Sequence, residues 1–452
     1  MTAAAPLLIA WAAGWFWVAA LTAGRRAHGP SRWLLEIPLA FPVGAGGGSC
    51  LYFAFLAAGL NPFPAAVLAD LIWLAAGVAL WWKRGRRCAA PVEKPPGFRF
   101  TWIAWIALAV CGAFFLGAVY QGSTALPQGD RDAWAIWNLR AKFLASDGNW
   151  NGAAAPELIG RSHPEYPLLW SGFVAKAWAW TGRAGAGTTP MTAGAAAAIS
   201  LILLLLGALW TVRDAVSGAL GALVLMSTVT FWQYAMAQYA DIPLSLFMLG
   251  ALWSAVRAAG DEWDSPLLAL SGLLASMAAW TKDEGLVFAA GLALAIVIAA
   301  RKSALPWLLA ALPAALIVAL YKLLLAPPFK EWSLARLADV SRIPSIFTFF
   351  LDEFLSLGRF PSHPMLLLIV SAALLGFRRP VAQLWAVIPV ATLAAGHFAA
   401  FYLSASDLQG RLSNAAGRIV LQMMPLLIFT LFLFLKSPDS APATSNPKRK
   451  KR

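Results

Sequence analysis

Apolar residues come in long runs broken by short polar or Gly- and Pro-containing stretches. Each run approaches the roughly 20 residues an α-helix needs to cross a bilayer core of about 30 Å. The runs predict spans near 4–22, 36–59, 64–82, 101–120, 190–211, 216–232, 242–258, 265–281, 285–300, 304–325, 364–377, 381–402 and 419–435, about 13 in all. Alternating strand patterns are missing, which excludes an outer-membrane barrel. The expected fold is an all-α polytopic membrane protein. Segment 166–182, YPLLWSGFVAKAWAWTG, is barely long enough to span and carries Lys176 among tryptophans. An interfacial helix suits it, because Trp favours headgroup depth and an intramembrane lysine costs about 2.5 kcal/mol or more. The aromatic-rich stretch FTFFLDEFLSLGRF at 347–360 reads as a second interfacial helix, with Asp352 and Glu353 on its solvated face.

Composition narrows the class further. Of 452 residues, 60% are hydrophobic and 12% charged, far from a soluble enzyme. Cys50, Cys88 and Cys111 show neither CxxC spacing nor a neighbouring histidine, so they read as structural thiols. The run from Leu7 to Leu21 lacks a basic flank and reads as a retained first span.

Charge placement sets an expected topology. The loops with Arg25, Arg26 and Arg32 and with Lys83, Arg84, Arg86, Arg87, Lys94 and Arg99 are short and basic, which puts both in the cytoplasm. If 166–182 does not cross, Arg213, Arg257, Arg301, Lys302, Arg378, Arg379 and the tail 436–452 join them. The inner side then holds 21 of the 35 Lys and Arg residues and 7 of the 21 acids, a difference equal to the formal net charge of +14. The basic pI therefore needs no nucleic-acid partner, and the tail SNPKRKKR fits an anchor at an anionic leaflet. The expected location is a bacterial-type inner membrane, with the N-terminus outside and the C-terminus in the cytoplasm.

The same topology gathers the polar clusters outside: GDRDAWAIWNLRAKF at 129–143, SHPEYP at 162–167, QYADIP at 238–243, TKDEG at 281–285, LDEF at 351–354 and SDLQGRLSNAAGR at 406–418. Charges beside an apolar bundle are costly and mark substrate paths or catalytic pockets. A helix cap accounts equally for Asp130 and for Asp241, while Asp132 competes for the first cap and is available as a base or metal ligand. His163, Glu165 and Tyr166 sit in a proline-restricted elbow. Lys282, Asp283 and Glu284 read either as a solvated turn or as a substrate-binding group in which Lys282 partners a lipid-linked phosphate. Arg411 and Arg418 flank a polar loop, and Arg418, entering the last span, needs a counter-charge or a phosphate. Asp70 lies within a span and is read as functional, whereas the glycines of GAGGGS at 44–49 indicate close helix packing.

Together these segments resemble the bacterial integral-membrane glycosyltransferases of the GT-C class, which include protein O-mannosyltransferases and the lipid A aminoarabinose transferase. The likeness covers about residues 101–300 and rests on Asp132 to Trp137 to Ala141, on His163 to Leu169, on Tyr239 to Pro243 and on Thr281 to Gly285. It implies an N-terminal three-span extension at 1–100 and a catalytic module at 101–300 with external loop 121–189. A transmembrane region at 301–435 with loop 326–363 and a basic tail at 436–452 would follow. It further implies inverting transfer of a sugar from a polyprenyl-phosphate donor to an envelope glycan, lipid or protein acceptor. Asp132 would be the base, Asp130 and Asp241 companion acids, and Lys282 with Arg418 the phosphate partners. No organic cofactor is implied; a divalent metal ion is an open question.

Two other classes fit the composition. A transporter or flippase of lipid-linked saccharides would carry internal repeats and midplane charges, and the chain shows no evident repeat. A non-catalytic envelope-assembly subunit would tolerate Asp132→Asn.

Overall fold

A computed structural model describes residues 4–23, 30–84, 101–160, 162–328, 332–356, 364–378 and 381–437. Arg25, Arg26, Arg86, Arg87, Cys88, Lys94, Arg99, Arg379 and the tail from Pro438 onward lie outside the described residues. Those described are helical with loops between, and they carry isolated β-bridges but no named strand.

The first helices are α1 (Ala4–Leu21), α2 (Pro30–Ala57), α3 (Pro62–Arg84) and α4 (Thr101–Ala125). The segment between α4 and Thr188 holds a π-turn (Ala133–Trp137), α5 (Asn138–Leu144), α6 (Pro156–Ile159) and α7 (Leu169–Thr181). Then come α8 (Thr188–Val212), α9 (Ala215–Met226), α10 (Val229–Ala237), α11 (Asp241–Gly260), α12 (Ser265–Thr281), α13 (Asp283–Ala300) and α14 (Leu305–Leu324). The chain ends in α15 (Arg342–Ser356), α16 (Pro364–Leu375), α17 (Ile388–Tyr402) and α18 (Leu408–Phe434). Boundaries follow local chemistry. Asp214 and Asp407 cap α9 and α18 through Ser217 N (2.8 Å) and Gly410 N (2.6 Å), and Pro266, Pro306 and Pro389 occupy first-turn positions.

Among the described residues, ten helices are long and apolar enough to cross a membrane. The remaining expected spans take other forms: α9 and α10 form one run bent by 69°, α12 has 17 residues and α16 has 12. The protein is thus a polytopic α-helical membrane protein. α11 is buried along almost its whole length and forms the centre, while α4 and α14 present leucines, valines and aromatics outward. α1 and α2 meet at two glycines: a Cβ on Gly44 would lie 1.7 Å from Ala10 O, and one on Gly14 would lie 1.9 Å from Ala40 O. The GAGGGS run is therefore a packing surface, as small residues are in membrane helices.

The interfacial reading of 166–182 is corrected. α7 has 13 residues, about 20 Å of helix and too short to span. It is buried from Leu169 to Trp178 and offers no open face to headgroups. Lys176 is fully buried and ion-paired with Asp70 of α3, whose other oxygen accepts from Trp180 Nε1 at 2.7 Å. The tryptophans are likewise used inside: Trp178 Nε1 donates to Ala186 O at 2.9 Å. α15 exposes Ile343, Phe347, Leu351 and Leu355 along one side and buries Ile346 on the other.

Helix direction alternates so that polar and basic segments separate into two ends. At one end Arg213 donates to Leu435 O, Ser437 Oγ donates to Asp214, and Arg378 N donates to Phe434 O. The opposite end gathers the termini of α4, α12, α14 and α17 with the starts of α11, α13 and α18.

Candidate functional site

The site begins where α4 ends. Gly129, at φ 74°, turns the chain against Ala237 O, and Asp130 N donates to that same carbonyl at 3.1 Å. The π-turn follows, a rare form that recurs at functional positions. Asp132 occupies its N-cap but makes no capping hydrogen bond. Its carboxylate instead forms an ion pair with Arg418 of α18. Asp130 accepts from Tyr239 Oη at 3.3 Å, and the Arg418 guanidinium lies 5.5 Å from the Tyr239 ring centre. Burial, with Asp132 and Asp130 beside it, pushes the Tyr239 phenol upward in pKa.

Beneath this pair lies a closed network. Asp241 at the start of α11 accepts from Lys282 Nζ at 3.1 Å and from Gln422 Nε2, one helical turn beyond Arg418. Lys282 also pairs with Glu284 at 3.1 Å. Burial works against the lysine's charge, but Asp241 and Glu284 outweigh it and raise its pKa. His397 of α17 is buried near these groups, and its Nε2 and Gln422 Oε1 have no hydrogen-bond partner among the described residues. Exposure divides the two acids: the Asp132 side chain is 31% exposed and that of Asp241 2%. Only the first can reach a ligand without opening the bundle.

A neighbouring group holds the elbow. His163 Nδ1 and Glu165 Oε1 are 2.9 Å apart, the His163 ring stacks on Tyr166 at 4.5 Å, and Trp137 stacks on the far side of Tyr166 at 6.0 Å. Lys322 of α14 pairs with Asp283 at 2.6 Å and donates to Glu165 O at 2.7 Å. Arg140, fully buried, donates to Ala153 O, Pro164 O, Tyr166 O and Tyr321 Oη. Burial lowers its pKa, with Tyr321 and Glu165 opposing. Burial would raise Glu165, but the hydrogen bond and charge of His163 and the charge of Arg140 bring it below the usual carboxylate range.

Of the sequence-predicted residues, Asp130, Asp132, Asp241, Lys282, Glu284 and Arg418 form the central cluster, while His163, Glu165, Tyr166 and Asp283 stand beside it. Arg411 does not join; its Nη1 donates to Ser404 Oγ at 3.0 Å at the start of α18. Sequence reasoning missed Gln422, His397, Lys322 and Tyr321. Gln422 was within reach of it, being four positions from Arg418 on one helix face. Glu353 was read as solvated, yet it is half-buried beside Gly417, the neighbour of Arg418.

No family model, characterised protein or solved structure matches this chain. Among the described residues no three His, Cys, Asp or Glu side chains stand close enough to hold a metal ion. What the arrangement does offer is a partly exposed carboxylate and a partly exposed guanidinium, side by side over a rigid buried network. The carboxylate accepts a proton and the guanidinium binds an anion.

Proposed function

We propose that the protein is a membrane glycosyltransferase that moves a sugar from a polyprenyl-phosphate donor to a hydroxyl of an envelope glycan, lipid or protein acceptor. The observation that supports this is the Asp132–Arg418 pair, a base and an anion site joined at the polar end of the bundle. In the reaction the acceptor oxygen attacks the anomeric carbon and gives its proton to Asp132. The bond from that carbon to the phosphate oxygen breaks, and the phosphate leaves onto Arg418 with inversion at carbon. Fixed positive charge at the leaving group stabilises what develops in the transition state.

The pair also supplies an order of events. With no donor, Arg418 holds Asp132 in an ion pair. A donor phosphate competes for the guanidinium and releases the carboxylate toward the acceptor. Lys282 serves the same phosphate indirectly, since Asp241 and Glu284 already hold it. The reaction belongs on the external side of a bacterial-type inner membrane, where lipid-linked sugars meet envelope acceptors.

The test is transfer of label from radiolabelled polyprenyl-phosphate sugars to envelope extracts by purified protein. Asp132→Asn at equal expression should lose activity by about 10²–10⁴-fold, the usual contribution of a positioned base. Equal transfer by both would remove Asp132 from the chemistry. No transfer by either, across several donors, would favour a flippase of lipid-linked saccharides or an assembly subunit.

A further inference from the structure

The buried ion pair between α3 and α7 plays no part in the proposed chemistry, yet taking two charges out of water is costly. Lys176 is 0% and Asp70 3% exposed. Trp180 Nε1 gives Asp70 a second bond at 2.7 Å. Gly48 of α2 closes over the pair, since a Cβ there would lie 3.1 Å from both Asp70 Oδ1 and Lys176 Nζ. α2 and α3 thus build a socket around one lysine of α7.

α7 is otherwise apolar along its buried face, and apolar packing alone tolerates a slide or rotation. Its directional bonds are few. Ser49 Oγ of α2 donates to Leu169 O at 2.7 Å, next to Gly172, where a Cβ would lie 2.5 Å from Ser49 Oγ. Ser171 Oγ donates to Trp137 O at 2.9 Å, and Trp137 closes the π-turn that begins after Asp132. Tyr52 Oη of α2 reaches Leu144 O at the end of α5 at 2.8 Å. A continuous path therefore runs from Asp70 through Lys176 and Ser171 to the turn that aims Asp132.

We infer that Asp70 and Lys176 are positioning residues: their buried pair fixes the register of α7 and thereby the placement of the loop that carries Asp132. α2 and α3 are then a socket for the catalytic loop rather than an accessory domain. Setting a register is the best-attested use of a buried ionic group, because a misaligned partner leaves a charge unpaired in low dielectric. The catalytic consequence rests on the function proposed above; the geometric one does not.

The experiment uses the full-length chain in lipid nanodiscs, with its three native cysteines replaced by alanine. Spin labels sit at Ser146→Cys, at the end of the loop helices, and at Leu323→Cys, at the exposed end of α14. Pulsed electron resonance reads the distance distribution between them, and thermal melting reads the fold. The neutral double variant Asp70→Asn/Lys176→Met, which leaves no orphan charge, should melt near the parent yet broaden the distribution. In the same variant without labels, kcat should fall by about 10²-fold, the cost of small misplacement, with KM little changed. Lys176→Arg, which keeps a cation beside Asp70, should retain the narrow distribution. An unchanged distribution in the folded double variant overturns the inference, as does a Lys176→Arg chain as broad as the neutral one. Should the double variant not fold, Trp180→Phe removes one bond to Asp70 and keeps both charges. Partial broadening there supports the register role and an unchanged distribution overturns it. If no transfer activity exists in the parent, the distance readout still decides, so the two proposals fail separately.

Discussion

Arg418 stands between an accessible carboxylate, Asp132, and a buried one, Asp241, and each defines a different use of negative charge. Asp241 accepts from Lys282 and Gln422 and ties the start of α11 to the end of α12 and to α18; the Asp132 carboxylate pairs with Arg418 and keeps an open edge. Glu165 shows the same logic outside the spans and gives a pH prediction. Its native pKa lies below the ordinary value because the His163 hydrogen bond, with the charges of His163 and Arg140, overcomes the burial penalty. The unfolded chain therefore binds more protons than the native one as pH falls past the unfolded value of about 4.3. The stability from Glu165 is present above that value and is lost as pH falls through the native pKa. Melting in detergent from about pH 7 down to about pH 3 should destabilise the parent more than Glu165→Gln, so that the two converge in acid. A gap independent of pH would show that the carboxylate's charge carries no stability.

Helices in this chain are defined by apolar length, and their joints by small residues and hydroxyls. Gly44 is the tightest joint, facing Ala10 O with no space for a Cβ. Gly44→Val should separate α1 from α2 and lower stability by about 1–3 kcal/mol, as overpacking does, read as a lower melting temperature. Gly112→Ala is the control: a Cβ there meets open space, and loss of a helical glycine is neutral or favourable by up to about 1 kcal/mol. The apolar runs were legible in the sequence because hydrophobic length is a local property. The fate of α7 was not, because the partner that makes Lys176 tolerable lies on α3, 106 positions away. The 69° bend at Ser227 and Thr228 escaped for a related reason: α9 and α10 read as one apolar run. The candidate site was legible as residue types gathered on one side. Its central pair was not, since Asp132 and Arg418 are 286 positions apart and each has a plausible local role as a cap or a phosphate partner.

At the scale of the whole molecule, the two ends differ in chemistry. One carries Lys83, Arg84, Arg213, Arg257, Arg301, Lys302, Arg378 and Lys436 in short connections; the other carries the carboxylate-rich cluster. Short-loop lysines and arginines remain on the cytoplasmic side during insertion, so the basic end should face inward and the Asp132–Arg418 pair outward. Because α7 does not cross, the alternation after α4 keeps every site segment on one side. Had it crossed, Asp130 and Asp241 would lie on opposite sides of the membrane, which the Asp130 N to Ala237 O bond and the Tyr239–Asp130 contact forbid. In intact cells with a cysteine-free background, a membrane-impermeant maleimide should label Ser146→Cys directly and Ser303→Cys only after permeabilisation. The reverse pattern would place the pair in the cytoplasm, among nucleotide-linked sugars rather than lipid-linked ones. It would overturn the proposed donor while leaving the fold and the pair intact, because the ligand class depends on orientation and the geometry does not.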